Sequence, residues 1–286
     1  MIPALLGAVV CISFAAIFFR KTMPTDPVVA AGLRLVIAAA LLAPAGLRSM
    51  HAGRANRRVL RAGALAGLAY GVHFGTWVTS LTLTSVAASV TLVTATPLLL
   101  AFAAIVTGRD RPGPRLWAAI GLGVLGVLVI GGHDLALSSD ALTGDGLAFA
   151  GAAAMAAYLL IARRLGQDLD LWAFSFLATS VGGATLLMGA VLAGIPLQVS
   201  STEAFAYIVL SALIPQIIGH NLLTWALRHA RPTLVGMATV GEPVGSTVLA
   251  WLILGEAVSA QVAVGCGITL AGVLMAMRSA PPPPPG

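Results

Sequence analysis

Apolar and charged positions in this chain alternate in long blocks rather than with the short periods of a soluble helix or strand. Charges fall in tight clusters, and the stretches between them run for about 17 to 23 residues, enough to carry an α-helix across the hydrocarbon core of a bilayer. Five such runs lie near Ile2 to Phe19, Pro27 to Leu47, Arg61 to Leu81, Ser85 to Val106 and Arg115 to Gly131. Five more lie near Gly146 to Ala162, Leu171 to Ala193, Ala204 to Ala226, Thr233 to Leu254 and Val258 to Met277. Hydrocarbon leaves backbone polar groups no partner but each other, so these runs predict helices. The expected fold class is an all-α membrane protein of ten transmembrane helices. Residues 279–286, with five consecutive prolines, cannot form a packed element and read as a disordered tail.

The charges then orient the runs. With the N-terminus inside, the loops and tail on that side hold Arg48, Arg54, Arg57, Arg58, Arg61, Arg109, Arg111, Arg115, Arg163, Arg164, Arg228, Arg231 and Arg278. The other side holds Arg20 and Lys21, and the remaining basic residue, Arg34, lies within the second run. Lys and Arg concentrate on the cytoplasmic side of inner membranes, so both termini are expected in the cytoplasm. The first run has no basic segment before it and is followed by Arg20 and Lys21 rather than a small-residue cleavage site, so it is expected to stay as a mature helix.

Composition agrees with this class: 58% of the 286 residues are apolar, 9% are charged, and the mean hydropathy is +0.97. A soluble domain carries far more charge. The pI near 10.3 would suggest nucleic acid as a partner for a soluble protein. Here the excess arginine serves orientation, and no nucleic-acid partner is expected. Cys11 and Cys266 each sit in an apolar run, which supports neither a disulfide nor a metal site.

A repeat at an offset of 146 residues divides the chain. Pro97 pairs with Pro243, Gly121 with Gly267, Asp110 with Glu256, and Gly126-Val127-Leu128 with Gly272-Val273-Leu274. Slightly shifted, Thr76-Trp77 matches Thr224-Trp225 and His73 matches His220. Each half, 1–135 and 136–278, holds five runs, an odd number, so the second enters the membrane from the opposite face. Inverted repeats of this kind suit alternating access around a midplane site.

Taken together, these residues resemble the EamA type of the drug/metabolite transporter superfamily over essentially the whole chain. The resemblance rests on Asp26-Pro27 with Gly32-Leu33-Arg34, on Thr96-Pro97 and the glycine-rich fifth run, and on Gly144-Asp145 and Arg163-Arg164 around the sixth. It is completed by Glu242-Pro243 and Leu254-Gly255-Glu256. Gly108-Arg109-Asp110 stands where the family usually has Leu-Gly-Glu. The resemblance implies two inverted five-helix repeats around a central cavity lined by helices 1, 3, 4, 6, 8 and 9, and export of amino acids or similar metabolites across the bacterial inner membrane.

Several residues could carry that function. Glu242 falls well inside the ninth run, where an ionisable group costs about 2.5 to 3.5 kcal/mol and must face a cavity or a partner. It is a candidate coupling residue that gains and loses a proton; a structural part, satisfying backbone freed by Pro243, is the alternative. Pro97 and Pro243 each remove a backbone donor and mark candidate hinges of a gate, with a static kink as the bland reading. In the third run Gly63, Gly67, Gly71 and Gly75 form a stripe for close helix approach, and Tyr70, His73 and Trp77 share the far face. In the eighth, Gln216, His220 and Thr224 repeat every four residues, flanked by Asn221 and Trp225. Tyr70, His73, Trp77, Gln216, His220 and Asn221 are therefore the expected substrate-binding wall, although a buried histidine is more often an interhelical hydrogen-bond partner. Arg34 is shallow enough in its run to snorkel outward, which favours anchoring or ion pairing over binding an anionic substrate.

Gly121-Leu122-Gly123-Val124-Leu125-Gly126 fits the dinucleotide string GxGxxG but lies in mid-membrane, where helix packing explains it. The chain has no HExxH, GxSxG or phosphate loop, so no cofactor, metal or ATP hydrolysis is expected. A membrane-embedded enzyme would need a catalytic constellation at one depth, and a structural subunit would need no polar cavity. The transporter reading suits these residues better than either, with a small-molecule substrate and the bilayer as partners and no oligomeric state implied.

Overall fold

The computed structural model describes residues 1–83, 89, 92–108, 112–131, 139–255 and 258–278. The loop bearing Arg109 to Arg111, Glu256 and the proline tail fall outside the described residues.

Eight helices follow the first eight apolar runs: α1 (Ile2–Thr22), α2 (Pro27–His51), α3 (Arg57–Leu83), α4 (Thr96–Thr107), α5 (Pro114–Gly131), α6 (Ser139–Arg163), α7 (Leu171–Leu192) and α8 (Thr202–Ala226). The fourth run differs from expectation, because residues 94–95 turn and α4 begins only at Thr96. The ninth run differs too. It is not one helix but α9 (Pro232–Thr239) and α10 (Glu242–Leu249), separated by a turn at Val240 and Gly241, and α10 widens into a π turn over Ala250–Leu254. The tenth run is α11 (Ala260–Arg278). No strand occurs among the described residues. There, α1, α2, α6, α7, α8 and α11 are long and apolar enough to cross a membrane.

Local chemistry places the helix starts. Asp26 caps α2 by accepting from the Val28 and Val29 amides at 2.9 and 3.2 Å, with Pro27 in the first turn where no donor is needed. Asp170 caps α7 in the same way through the Ala173 amide at 2.9 Å. At the other end of α6, Arg163 donates to the Leu227 carbonyl at 2.9 Å and ties α6 to the end of α8.

Packing joins the halves rather than separating them. α2 and α3 lie against α6 and α7, α1 against α8 and α10, α4 against α6 and α9, and α5 against α11. The two stretches 1–135 and 136–278 are therefore interleaved in one core. The glycine stripe of α3 is where α7 arrives: a Cβ at Gly67 would lie 2.6 Å from Val181 and 3.0 Å from the Ala178 carbonyl. The α5–α11 contact is closer still. Gly126 backs onto Thr269, and Gly272 onto Gly123. An offset of 146 residues turns Gly126 into Gly272 and Gly123 into Thr269, so the two contacts interchange under that offset.

Candidate functional site

Interleaving brings the polar residues of both halves to one place. α1 contributes Ile12 and Ala15 to a small central cavity, α2 Arg34, and α3 His73, Phe74 and Trp77. The segment opening α4 adds Val93, Thr94 and Thr96, and α6 adds Met155, Tyr158 and Leu159. His220 and Leu223 of α8, Thr239 of α9 and Glu242 of α10 close it. The cavity encloses about 60 Å³. That holds a few water molecules and is too small for an amino acid, so any such solute would require the walls to part.

Arg34 does not snorkel. Its side chain is fully buried, and Nη2 donates to Gln216 Oε1 at 3.0 Å. The guanidinium lies over the Phe74 ring at 4.7 Å and the Phe19 ring at 5.7 Å. Its Nε and Nη1 have no hydrogen-bond partner. The reason is packing: α2 is sealed by α7 and α3, and the face carrying Arg34 turns inward to α8. Glu242, half-buried, lines the same cavity and acts on Arg34 electrostatically, and no direct ion pair joins the two among the described residues.

Of the residues expected to form the wall, the structure brings His73, Trp77 and His220 to the cavity. His73 Nδ1 donates to the Gly151 carbonyl at 2.9 Å, which fixes its ring. Trp77 stacks with His73 and meets Phe19 edge-on at 6.0 Å, and its Nε1 is buried without a partner. Tyr70, Gln216 and Asn221 do not line the cavity. Tyr70 and Gln216 stand behind it: the Gln216 amide donates to Tyr70 Oη at 3.0 Å while its carbonyl holds Arg34. Asn221 is buried on α8 away from the cavity. Gln216 does not share the cavity face with His220, four residues on, because α8 widens to π turns over Ala212–His220, around Pro215.

Pro97 and Pro243 both stand in the first turn after a break: residues 94–95 turn before α4, and 240–241 before α10. The offset of 146 also makes Thr96 the counterpart of Glu242, and both line the cavity. That match was available in the sequence one residue before the proline pair. Tyr158 was also missed. Its hydroxyl shares a 2.8 Å hydrogen bond with Thr224, and its ring stacks on Tyr70 at 4.5 Å. Only the tertiary contact of α6 with α3 and α8 reveals it.

A wider cavity of about 730 Å³ lies between the far ends of the same elements, α4, α6, α9 and the end of α8. Arg163, Arg164 and Arg228 line it. The buried side chains of Leu159 and Leu223 face the small cavity and Leu100 the wide one.

A helical chain with several segments long and apolar enough to cross a membrane, and a small cavity between them lined by charged and apolar side chains, is a multi-pass membrane protein. Comparison with known proteins makes this specific. Residues 1–132 and 142–278 match the EamA-like transporter family, and the chain belongs to that family, within the drug/metabolite transporter superfamily. One solved structure, titled only "Crystal structure of protein", is 21% identical with a TM-score of 0.80, over 97% of this chain and 96% of that one. At that identity the likeness concerns the fold. No curated protein matches the chain significantly.

Proposed function

We propose that this transporter exports amino acids or similar small metabolites across the bacterial inner membrane by alternating access, with both termini in the cytoplasm. The observation that carries the reading is the central cavity, walled by both halves of the chain and lined by a basic and an acidic side chain, Arg34 and Glu242, together with His73 and His220. Such groups are expensive at membrane depth and are kept where a solute or ion passes. Two inverted five-helix repeats explain why Gly126 and Gly272 make exchanging contacts and why helix breaks precede both Pro97 and Pro243. In this reading the breaks are the hinges of a gate. His73, Trp77 and His220 contact the solute, Tyr70 and Gln216 hold Arg34 in place, and Asn221 approaches the solute only after rearrangement of α8. Glu242 couples proton movement to transport.

The test is uptake by proteoliposomes of a panel of amino acids and cationic drugs, with and without an imposed pH gradient. The proposal expects saturable uptake of at least one panel member that responds to the gradient. Uptake indistinguishable from protein-free liposomes for every member overturns it.

A further inference from the structure

Arg34 is a fully buried cation whose one side-chain hydrogen bond goes to a neutral amide. Two aromatic rings cover it, and its Nε and Nη1 donors are unspent. A desolvated guanidinium with unspent donors gains by meeting an anion that enters the cavity. Glu242 faces the same cavity without pairing directly with it.

We propose that the transported solute carries a single carboxylate and that Arg34 is the group that binds it. The inference rests on the central cavity being the solute site. The guanidinium supplies planar charge-assisted hydrogen bonds that match a carboxylate. Phe19 and Phe74 hold it in one orientation, and Gln216, itself anchored on Tyr70, fixes its remaining edge. Glu242 sets the limit on charge, because a dianion such as phosphate would meet a carboxylate across a cavity this small. The wide cavity between the same elements has the matching sign: Arg163, Arg164 and Arg228 line it and would concentrate anions there.

The experiment measures binding and transport separately on the full-length protein in detergent and in proteoliposomes. Radiolabelled leucine, phenylalanine and threonine serve as probes, each competed with its own unlabelled form, its carboxamide and its decarboxylated amine, and with inorganic phosphate. The expected result is saturable binding of at least one probe, displaced at least about tenfold more weakly by the amide and amine and not by phosphate. Arg34→Gln loses the binding and Arg34→Lys keeps part of it; the amide comparison on the unaltered protein needs no variant to fold. Carboxylate-selective binding without transport leaves Arg34 as the carboxylate-binding group and overturns the alternating-access reading proposed above. Amides or amines that compete as well as the acids overturn the carboxylate assignment, as does the absence of binding by all three probes.

Discussion

Gly272 and Gly267 lie on the same helix, α11, five residues apart, and a methyl group at each should have opposite effects. A Cβ at Gly272 would lie 2.6 Å from the Gly123 backbone nitrogen and 2.9 Å from the Ala119 carbonyl oxygen, where ordinary contact starts near 3.4 Å. Both obstacles are backbone, so no rotamer can yield, and α5 and α11 must separate by about 0.8 Å at the crossing to relieve the clash. A gap of that size forfeits about a quarter to a half of the dispersion energy of each contact along the seam. Overpacking typically costs about 1–3 kcal/mol, whereas alanine regains up to about 1 kcal/mol of helix propensity over glycine. With two backbone obstacles the clash falls in the upper part of that range, about 2–3 kcal/mol, leaving Gly272→Ala less stable by about 1–2 kcal/mol. At Gly267 nothing lies within 4 Å of the added carbon, so only the propensity gain remains. Thermal unfolding of the purified variants in one detergent should place Gly272→Ala about 3–6 °C below the parent and Gly267→Ala at or above it. Since α5 and α11 contribute no residue to the central cavity, transport per folded molecule should survive in both. Equal stability of the two variants would refute the close α5–α11 seam, and with it the exchanging contact that supports the repeat.

Three further predictions concern the site and the topology. Trp77 packs on Phe19, His73 and Phe74, so Trp77→Ala should lower both stability and transport, while Trp77→Phe keeps most of the packing and should reduce transport alone; parallel melting and uptake assays read the difference, and normal uptake by Trp77→Phe argues against contact with the solute. Glu242→Gln keeps shape and hydrogen-bonding capacity but cannot titrate, so it should exchange substrate across proteoliposomes without responding to a pH gradient; an unchanged response leaves the carboxylate a structural part only. With Cys11 and Cys266 replaced by alanine, a cysteine at exposed Gln198 should react with an impermeant thiol reagent on intact cells and one at exposed Arg54 should not. Reaction of both from outside would remove the proposed orientation.

Sequence alone determined the class of this protein, because hydrocarbon imposes its constraint one segment at a time. Run length and charge clustering report membrane helices without knowledge of any neighbour, and α1, α2, α6, α7, α8 and α11 answer to them. The glycine stripe of α3 was legible for the same reason: spacing on one helix fixes one face, and α7 uses it. What depended on two or more helices was not. Arg34 appeared free to reach an interface until α3, α7 and α8 closed around it. Gln216 shared a helical face with His220, yet stands one layer behind it, since the wider turns over Ala212–His220 leave α-helical register; Tyr70 stands there with it, hydrogen-bonded to its amide. The ninth run reads as one helix by hydropathy, which is indifferent to whether backbone bonds continue through Val240 and Gly241. Burial, register and the placing of Arg34 and Glu242 on one cavity are properties of the packed bundle, where each side chain's surroundings come from distant parts of the chain.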